Sequence, residues 1–84
     1  MWFKRKNCRV KLTGRAGLLY EEGNRSMLVD SEMLAGKDFD MVIYSESIKQ
    51  WQPPHETEPI SDADRDRIRN NISRELSGSR IDWQ

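Results

Sequence analysis

The sequence of 84 residues is short of cysteine and of long apolar runs, and each shortage excludes a class of protein. Its one cysteine, Cys8, cannot form a disulfide within the chain, which is typical of the reducing cytosol rather than of secreted proteins. No run approaches the roughly 20 apolar residues of a membrane helix, and the first residues lack the apolar segment of a signal peptide. We therefore expect one small soluble domain in the cytoplasm. Only 36% of its residues are hydrophobic, so a homodimer could add burial.

Motifs of catalysis and of metal binding are also missing. The sequence has no phosphate-binding loop, dinucleotide fingerprint or nucleophile elbow. A nucleophilic Cys8 would need His55 as its base, and a small buried hydrophobe is the simpler interpretation of Cys8. His55, Glu56 and Glu58 lie close together but lack the spacing of a zinc or calcium site. We predict no enzymatic activity, no cofactor and no metal.

Charge is balanced overall but segregated along the chain. Residues 1–15 carry +6, residues 16–66 carry −8, and residues 67–84 carry +2. The basic start mixes aromatic and basic side chains in WFKRKNCRVK, a pattern that suits a small nucleic-acid-binding module. Basic side chains are equally usual on an edge strand, and the acidic middle would repel phosphates. Nucleic-acid binding by the basic N-terminal strand therefore stays the alternative to binding a protein.

The hydrophobic pattern of the first half predicts strands. The CRVKL run alternates, which would place its three apolar residues on one face. Two β-prone runs flank Gly23 and Asn24, which tolerate the positive φ of a tight hairpin turn. FDMVIYS then has the composition of a further strand. We predict an antiparallel β-meander over residues 1–46.

The second half has helical periodicity. Ser61 followed by Asp64 is a capping-box pattern at the start of a helix. One narrow apolar stripe follows it at helical spacing: Ile68, Ile72 and Leu76. We predict a helix over residues 61–77 and a possible short strand over residues 79–84. The whole chain is thus predicted to be an α+β domain, a small antiparallel sheet with one C-terminal helix packed on one face.

A proline-rich elbow, residues 47–60, joins the predicted sheet to the predicted helix. Pro53 and Pro54 fix their own φ and bias the residues before them toward extended geometry, so the elbow should be stiff. Trp51 is the largest apolar side chain nearby, and we predict that it fills the core beneath the helix. The residues with a predicted structural role are Trp51, Pro53, Pro54, Ser61, Ile68, Ile72 and Leu76.

The order of three segments resembles a family of small bacterial immunity proteins of polymorphic-toxin and contact-dependent growth inhibition systems. These segments are YEEGNRSMLVDSEML, FDMVIYSESIKQW and PPHETEPISDADRDRIRNNI, which span roughly residues 17–77. The most specific parts are the stretch from Ser47 to Pro54 and the Pro59-Ile60-Ser61 helix start. The resemblance implies an α+β fold and neutralisation of a cognate toxin domain in the cytoplasm by direct binding.

The acidic middle of the chain suggests the chemistry of that toxin. Many such toxins act on nucleic acids and have basic clefts, to which an acidic inhibitor is complementary. We therefore expect the partner to be a basic domain, a nuclease, and expect no membrane and no nucleic acid as direct partners. The candidate toxin-binding residues lie on the elbow and near the preceding strand: Glu46, His55, Glu56, Glu58, Asp38 and Asp40.

Overall fold

The computed structural model describes residues 8–13 and 16–84, apart from the side chain of Ala16. Most of the basic start of the chain, residues 1–7 and Arg15, lies outside the described residues. In the described part the elements are β1 (Cys8–Leu12), β2 (Ala16–Glu22), β3 (Arg25–Met33), β4 (Met41–Ile43), a 3-10 turn (Ser45–Ser47), α1 (Asp62–Glu75) and β5 (Ile81–Trp83). Within the same residues, no helix combines the length and the apolar character required to cross a membrane.

The strands form a single sheet in the order β1-β2-β3-β4-β5. Neighbours from β1 to β4 pair antiparallel, as a meander does, and β5 pairs parallel to β4. The parallel pair arises because the chain leaves β4, passes through α1 and returns to the sheet, and such a crossover joins parallel strands. The predicted α+β fold, with a β-meander, one C-terminal helix and a short last strand, is confirmed, although its last pairing is not antiparallel.

The hairpin between β2 and β3 forms at the glycine that the sequence indicates. Glu22 pairs with Arg25, so Gly23 and Asn24 are the two turn residues. Gly23 has φ 60°, a left-handed value that glycine adopts without steric cost. A glycine in the first central position is typical of a type II′ turn, which matches the twist of the flanking strands.

One face of the sheet and α1 enclose the core. Alternate strand residues are almost fully buried on this face: Leu18, Tyr20, Met27, Val29, Met41 and Ile43. Ile68 and Ile72 of α1 are also buried, whereas Leu76 is only partly buried against the same cluster. The strand pattern placed Leu12 with Cys8 on this face, but Leu12 is 50% exposed because it ends an edge strand with a single neighbour.

The start of α1 is fixed by a capping box. The Oγ of Ser61 accepts a hydrogen bond from the Asp64 N–H, and Asp64 Oδ2 accepts one from the Ser61 N–H, both at 3.0 Å. Each bond satisfies a donor that the first turn of a helix leaves free. Ion pairs along the same turns join Asp62 to Arg65 and Asp64 to Arg67. These local interactions make the helix begin at a defined residue.

The elbow, residues 47–60, lies along the first half of β3, because β4 pairs only with the last part of that strand. Ser47 Oγ accepts a hydrogen bond from the Asp30 N–H at 2.8 Å. Farther along, the Gln52 N–H donates to the Ser26 carbonyl at 2.8 Å, and Ser26 Oγ donates to the Gln52 side chain at 2.9 Å. The elbow is therefore attached to the sheet at both of these points.

Trp51 attaches the elbow to the hydrophobic core. Its side chain is 5% exposed and stacks on the ring of Tyr20, with 6.3 Å between the ring centroids. Stacked aromatic pairs add about 0.5–1.5 kcal/mol to the burial of their apolar area. Trp51 is thus the contact through which the elbow joins the hydrophobic cluster.

Replacing Trp51 by alanine should therefore lower the free energy of unfolding by about 3–5 kcal/mol, because the change leaves a cavity in the core. The loss is comparable with the whole stability of a small domain. Chemical denaturation of Trp51→Ala measures it. Leu28→Ala is the control, since its side chain is 55% exposed and should change stability by less than about 0.5 kcal/mol. Wild-type stability in Trp51→Ala would show that the elbow is not held by this contact.

Candidate functional site

The predicted toxin-binding acids lie at two places separated by β4. Asp38 and Asp40 lie in the loop before β4, whereas Glu46 lies in the 3-10 turn after it. A strand rises about 3.3 Å per residue, so roughly 10 Å of sheet separates the two groups. His55, Glu56 and Glu58 follow on the elbow. The structure therefore brings together the elbow residues but not the whole predicted set.

Glu58 is used to fasten the elbow. Its Oε1 accepts a hydrogen bond from Arg25 Nε at 2.7 Å, and its Oε2 lies 2.7 Å from Nδ1 of His55. Hydrogen bonds from Arg25 and then from His55 hold the pKa of the Glu58 carboxyl below its ordinary value. Since Arg25 begins β3, this network joins the elbow to the β2–β3 hairpin. Glu58 and His55 are therefore already engaged within the protein.

Asp40 is engaged in a similar way at the other end of β4. Its Oδ2 accepts the Arg80 N–H at 2.8 Å, and its Oδ1 lies 3.2 Å from the Arg80 guanidinium. The backbone bond and then the side-chain bond from Arg80 hold the pKa of the Asp40 carboxyl below its ordinary value. Because Arg80 directly precedes β5, these bonds connect the β3–β4 loop, which contains Asp40, to the start of the last strand.

Three of the predicted acids remain free for a partner. Asp38, Glu46 and Glu56 are exposed, and none of them has an ion pair or hydrogen bond with another described residue. Glu56 lies on the elbow, Glu46 lies in the 3-10 turn that directly precedes it, and Asp38 lies in the β3–β4 loop. The elbow and the turn before it therefore present one free carboxylate each.

A charged cluster at the start of α1 was missed by the sequence analysis. Glu22 of β2 accepts a two-point hydrogen bond from Arg67, with Nε and Nη2 at 3.0 and 2.9 Å from its two oxygens. The Tyr20 hydroxyl also donates to Glu22 at 2.7 Å, and Asn71 donates to that hydroxyl at 2.8 Å. Burial, above all, raises the pKa of Tyr20, so its hydroxyl remains a donor. The cluster fixes α1 on the sheet.

A cleft of about 220 Å³ opens between this cluster and the elbow. Its lining comes from β2, β3, the elbow and the first turns of α1: Glu22, Arg25, Trp51, Glu58, Pro59, Asp64 and Arg67. Both arginines of the lining are bound to carboxylates of the lining, Arg25 to Glu58 and Arg67 to Glu22 and Asp64. Because these charges already neutralise one another, the cleft is a set of internal ion pairs rather than a vacant ligand site.

The described part of the basic start offers a limited phosphate-binding surface. Arg9 and Lys11 are exposed on β1, next to the β2 strand. Glu21 of β2 pairs with Arg9 in register, and its carboxylate lies 3.9 Å from the Lys11 ammonium group. An acid thus lies beside both bases, which weakens their attraction for phosphate.

The two residues weighed for catalysis have different surroundings in the fold. Cys8 is buried in the hydrophobic cluster, and His55 is bound to Glu58 on the elbow. Across residues 8–13 and 16–84, no three His, Cys, Asp or Glu side chains are grouped as a metal site would require.

Comparison with known proteins gives one family. The model of the family described as Immunity protein 74 matches residues 9–83, which include α1, the strands β2 to β5 and all of β1 except Cys8. No curated protein and no solved structure matches the chain. The resemblance to immunity proteins of toxin systems, inferred from the three sequence segments, is confirmed at the level of the family.

The capping box and the ion pair with Arg67 should make the free energy of unfolding depend on the protonation of Asp64. Hydrogen bonds from the Ser61 backbone and from Arg67 lower the pKa of Asp64 from 3.8 to about 2. Because the folded state lowers this pKa, the stabilisation is present above pH 3.8 and is lost as the pH falls toward about 2. Denaturant titrations between these pH values should show a shallower loss of stability in Asp64→Asn than in the wild type. Parallel curves would mean that Asp64 is not bound as described.

Proposed function

The chain belongs to the Immunity protein 74 family, and we propose that it neutralises a cognate bacterial toxin domain by binding it directly. We further propose that the toxin domain is basic, that it is a nuclease, and that binding takes place in the cytoplasm. In this proposal the protein occupies a surface of the toxin and performs no reaction on it. The free carboxylates of Glu46, just before the elbow, and of Glu56, on it, are the observation that carries the proposal.

The charge of the central part of the chain supports a basic partner. Residues 16–66 carry −8, and Glu46 and Glu56 contribute to this charge without a counter-ion among the described residues. A negative surface attracts a basic domain over about 8–10 Å at physiological ionic strength and raises the association rate. A nuclease has a basic surface of this kind because it must bind phosphates.

The attachment of the elbow supports recognition by a preformed surface. The Ser47 side chain accepts a hydrogen bond from the Asp30 N–H of β3, and the Gln52 N–H donates one to the Ser26 carbonyl. The side chains of Trp51 and Glu58 attach the elbow to the core and to the hairpin. Little further ordering is needed when such a segment binds, so less of the interaction free energy is lost. The conformation that displays Glu56 is thus already set before the toxin arrives.

Direct binding of nucleic acid is the alternative to this proposal, and it predicts a different response. A phosphate-binding module would retard nonspecific RNA and DNA in a gel at low salt, and Arg9→Glu would abolish the shift. We expect no such shift at protein concentrations that saturate the toxin domain.

Reversing the charge at Glu46 or at Glu56 should slow association with the cognate toxin domain, which is to be sought in the genes neighbouring this one. We expect Glu46→Lys and Glu56→Lys each to lower the on-rate roughly three- to tenfold at low salt, and the difference should shrink at high salt. Stopped-flow or surface-plasmon measurements at two salt concentrations provide the test. Asp66→Lys, an exposed acid on α1, is the matched control and should bind like the wild type. Wild-type on-rates without salt dependence in both elbow variants would refute the acidic-elbow account.

A further inference from the structure

The face of the sheet opposite α1, here called the open face, carries a second set of residues that the elbow account does not use. The alternation that buries Met27 and Val29 turns Leu28 to the other side, where it is 55% exposed. Strand register places the following residues on this face: Leu19, Leu28, Asp30, Glu32, Val42, Tyr44 and Asp82. The described helix covers only the other side of the sheet. On this side Val42 is 6% exposed, whereas Leu28 and Tyr44 are 55% and 36% exposed.

The centre of the open face is apolar and aromatic. Leu28 pairs in register with Leu19 on the neighbouring strand. Tyr44 directly follows β4, and its N–H donates to the Asp30 carbonyl, so it extends the strand alongside β3. Its ring is 36% exposed. An exposed tyrosine and leucine on strands are the kind of rigid anchor that dominates binding energy in protein interfaces.

Acids flank this centre on the side of β3, β4 and β5, whereas on the opposite side Lys11 of β1 lies beside Leu19 in register and pairs with Glu21. Asp30 and Glu32 are exposed on β3, and Asp82 lies across Val42 from Glu32 in the sheet register. Partial burial, then the charge of Glu32 and a hydrogen bond to it, raise the pKa of Tyr44, with a smaller effect from Asp82. No described basic side chain forms an ion pair with these three acids; Asp82 accepts only an amide hydrogen bond, from Gln84. The potential around Tyr44 is thus negative, and the described bases of this face, Arg9 and Lys11, lie at its far edge on β1, two strands from Asp30 and Glu32.

We propose that the open face is the main docking surface for the toxin domain, with Tyr44 and Leu28 as anchors and the surrounding acids facing a basic patch of the toxin. This inference rests on the proposed function and names the surface that performs it. Charge complementarity selects a basic protein as the occupant. Glu46, two residues after Tyr44, continues the acidic rim toward the elbow, so the elbow is the border of this surface and the sheet is its centre.

The proposal is tested with the neighbouring toxin domain in a catalytically inactive form, by titration calorimetry against the intact chain. Leu28→Ser, Tyr44→Ala and the double variant Asp30→Lys/Glu32→Lys should each raise Kd about tenfold or more. Leu12→Ser changes a leucine that is 50% exposed on the other face, and Asp66→Lys reverses an exposed acid on α1. Both controls should stay within about threefold of the wild type. Thermal melts establish that each variant is folded. If the melting temperature of Tyr44→Ala lies well below that of the wild type, the Kd of Leu28→Ser is used to test the proposal instead.

The outcomes separate this inference from the proposed function. Wild-type affinity in all three open-face variants, with loss of binding in Glu46→Lys and Glu56→Lys, would overturn the docking surface and leave the immunity function in place. A wild-type chain that neither binds nor protects against the neighbouring toxin would overturn both. Sedimentation supplies a third outcome: a wild-type dimer that dissociates in Leu28→Ser would assign the face to a second copy and overturn the proposal.

Discussion

The burial of Tyr20 is the constraint on which the rest of the structure depends. Its ring supports Trp51 and so holds the elbow, while its hydroxyl donates to Glu22 and accepts from Asn71 of α1. A buried hydroxyl without partners would cost about 1–3 kcal/mol, so the sheet, elbow and helix must come together around it at once. A chain with one cysteine cannot form an internal disulfide. In a domain of this size, the contacts of Tyr20 with the sheet, the elbow and the helix connect these parts instead.

The acidic side chains described above differ in whether they form ion pairs within the protein. Glu22, Asp64 and Glu58 neutralise arginines around the cleft, and Asp40 closes the start of β5. A partner that competed for these carboxylates would have to break internal ion pairs and expose uncompensated guanidinium groups. The acids that can bind a partner at no such cost lie elsewhere, on the outer side of the elbow and on the open face. The proposed recognition surface therefore uses other acids than those that form the internal ion pairs.

Much of the fold could be predicted from local sequence because its causes are local. Alternation marks β1, Gly23 allows the hairpin turn, and the Ser61–Asp64 box starts the helix, each within a few residues. The cluster could not be predicted in this way, since Glu22 and Arg67 are 45 residues apart and meet only after α1 packs on the sheet. The same holds for Arg25 and Glu58, which are 33 residues apart and join the elbow to the β2–β3 hairpin. Nor does alternation alone say that the helix leaves Leu28 and Tyr44 on the uncovered side.

The central claim is that this small scaffold binds a basic toxin domain through the open face and the elbow that borders it. Nuclear magnetic resonance mapping with labelled chain and unlabelled, inactive toxin domain tests it most directly. The account predicts that the largest changes in amide and side-chain signals fall on Leu28, Asp30, Tyr44 and Glu46, while the outer side of α1 around Asp66 and Asn70 stays unchanged. The largest changes on that side of α1, with the open face unaffected, would contradict it.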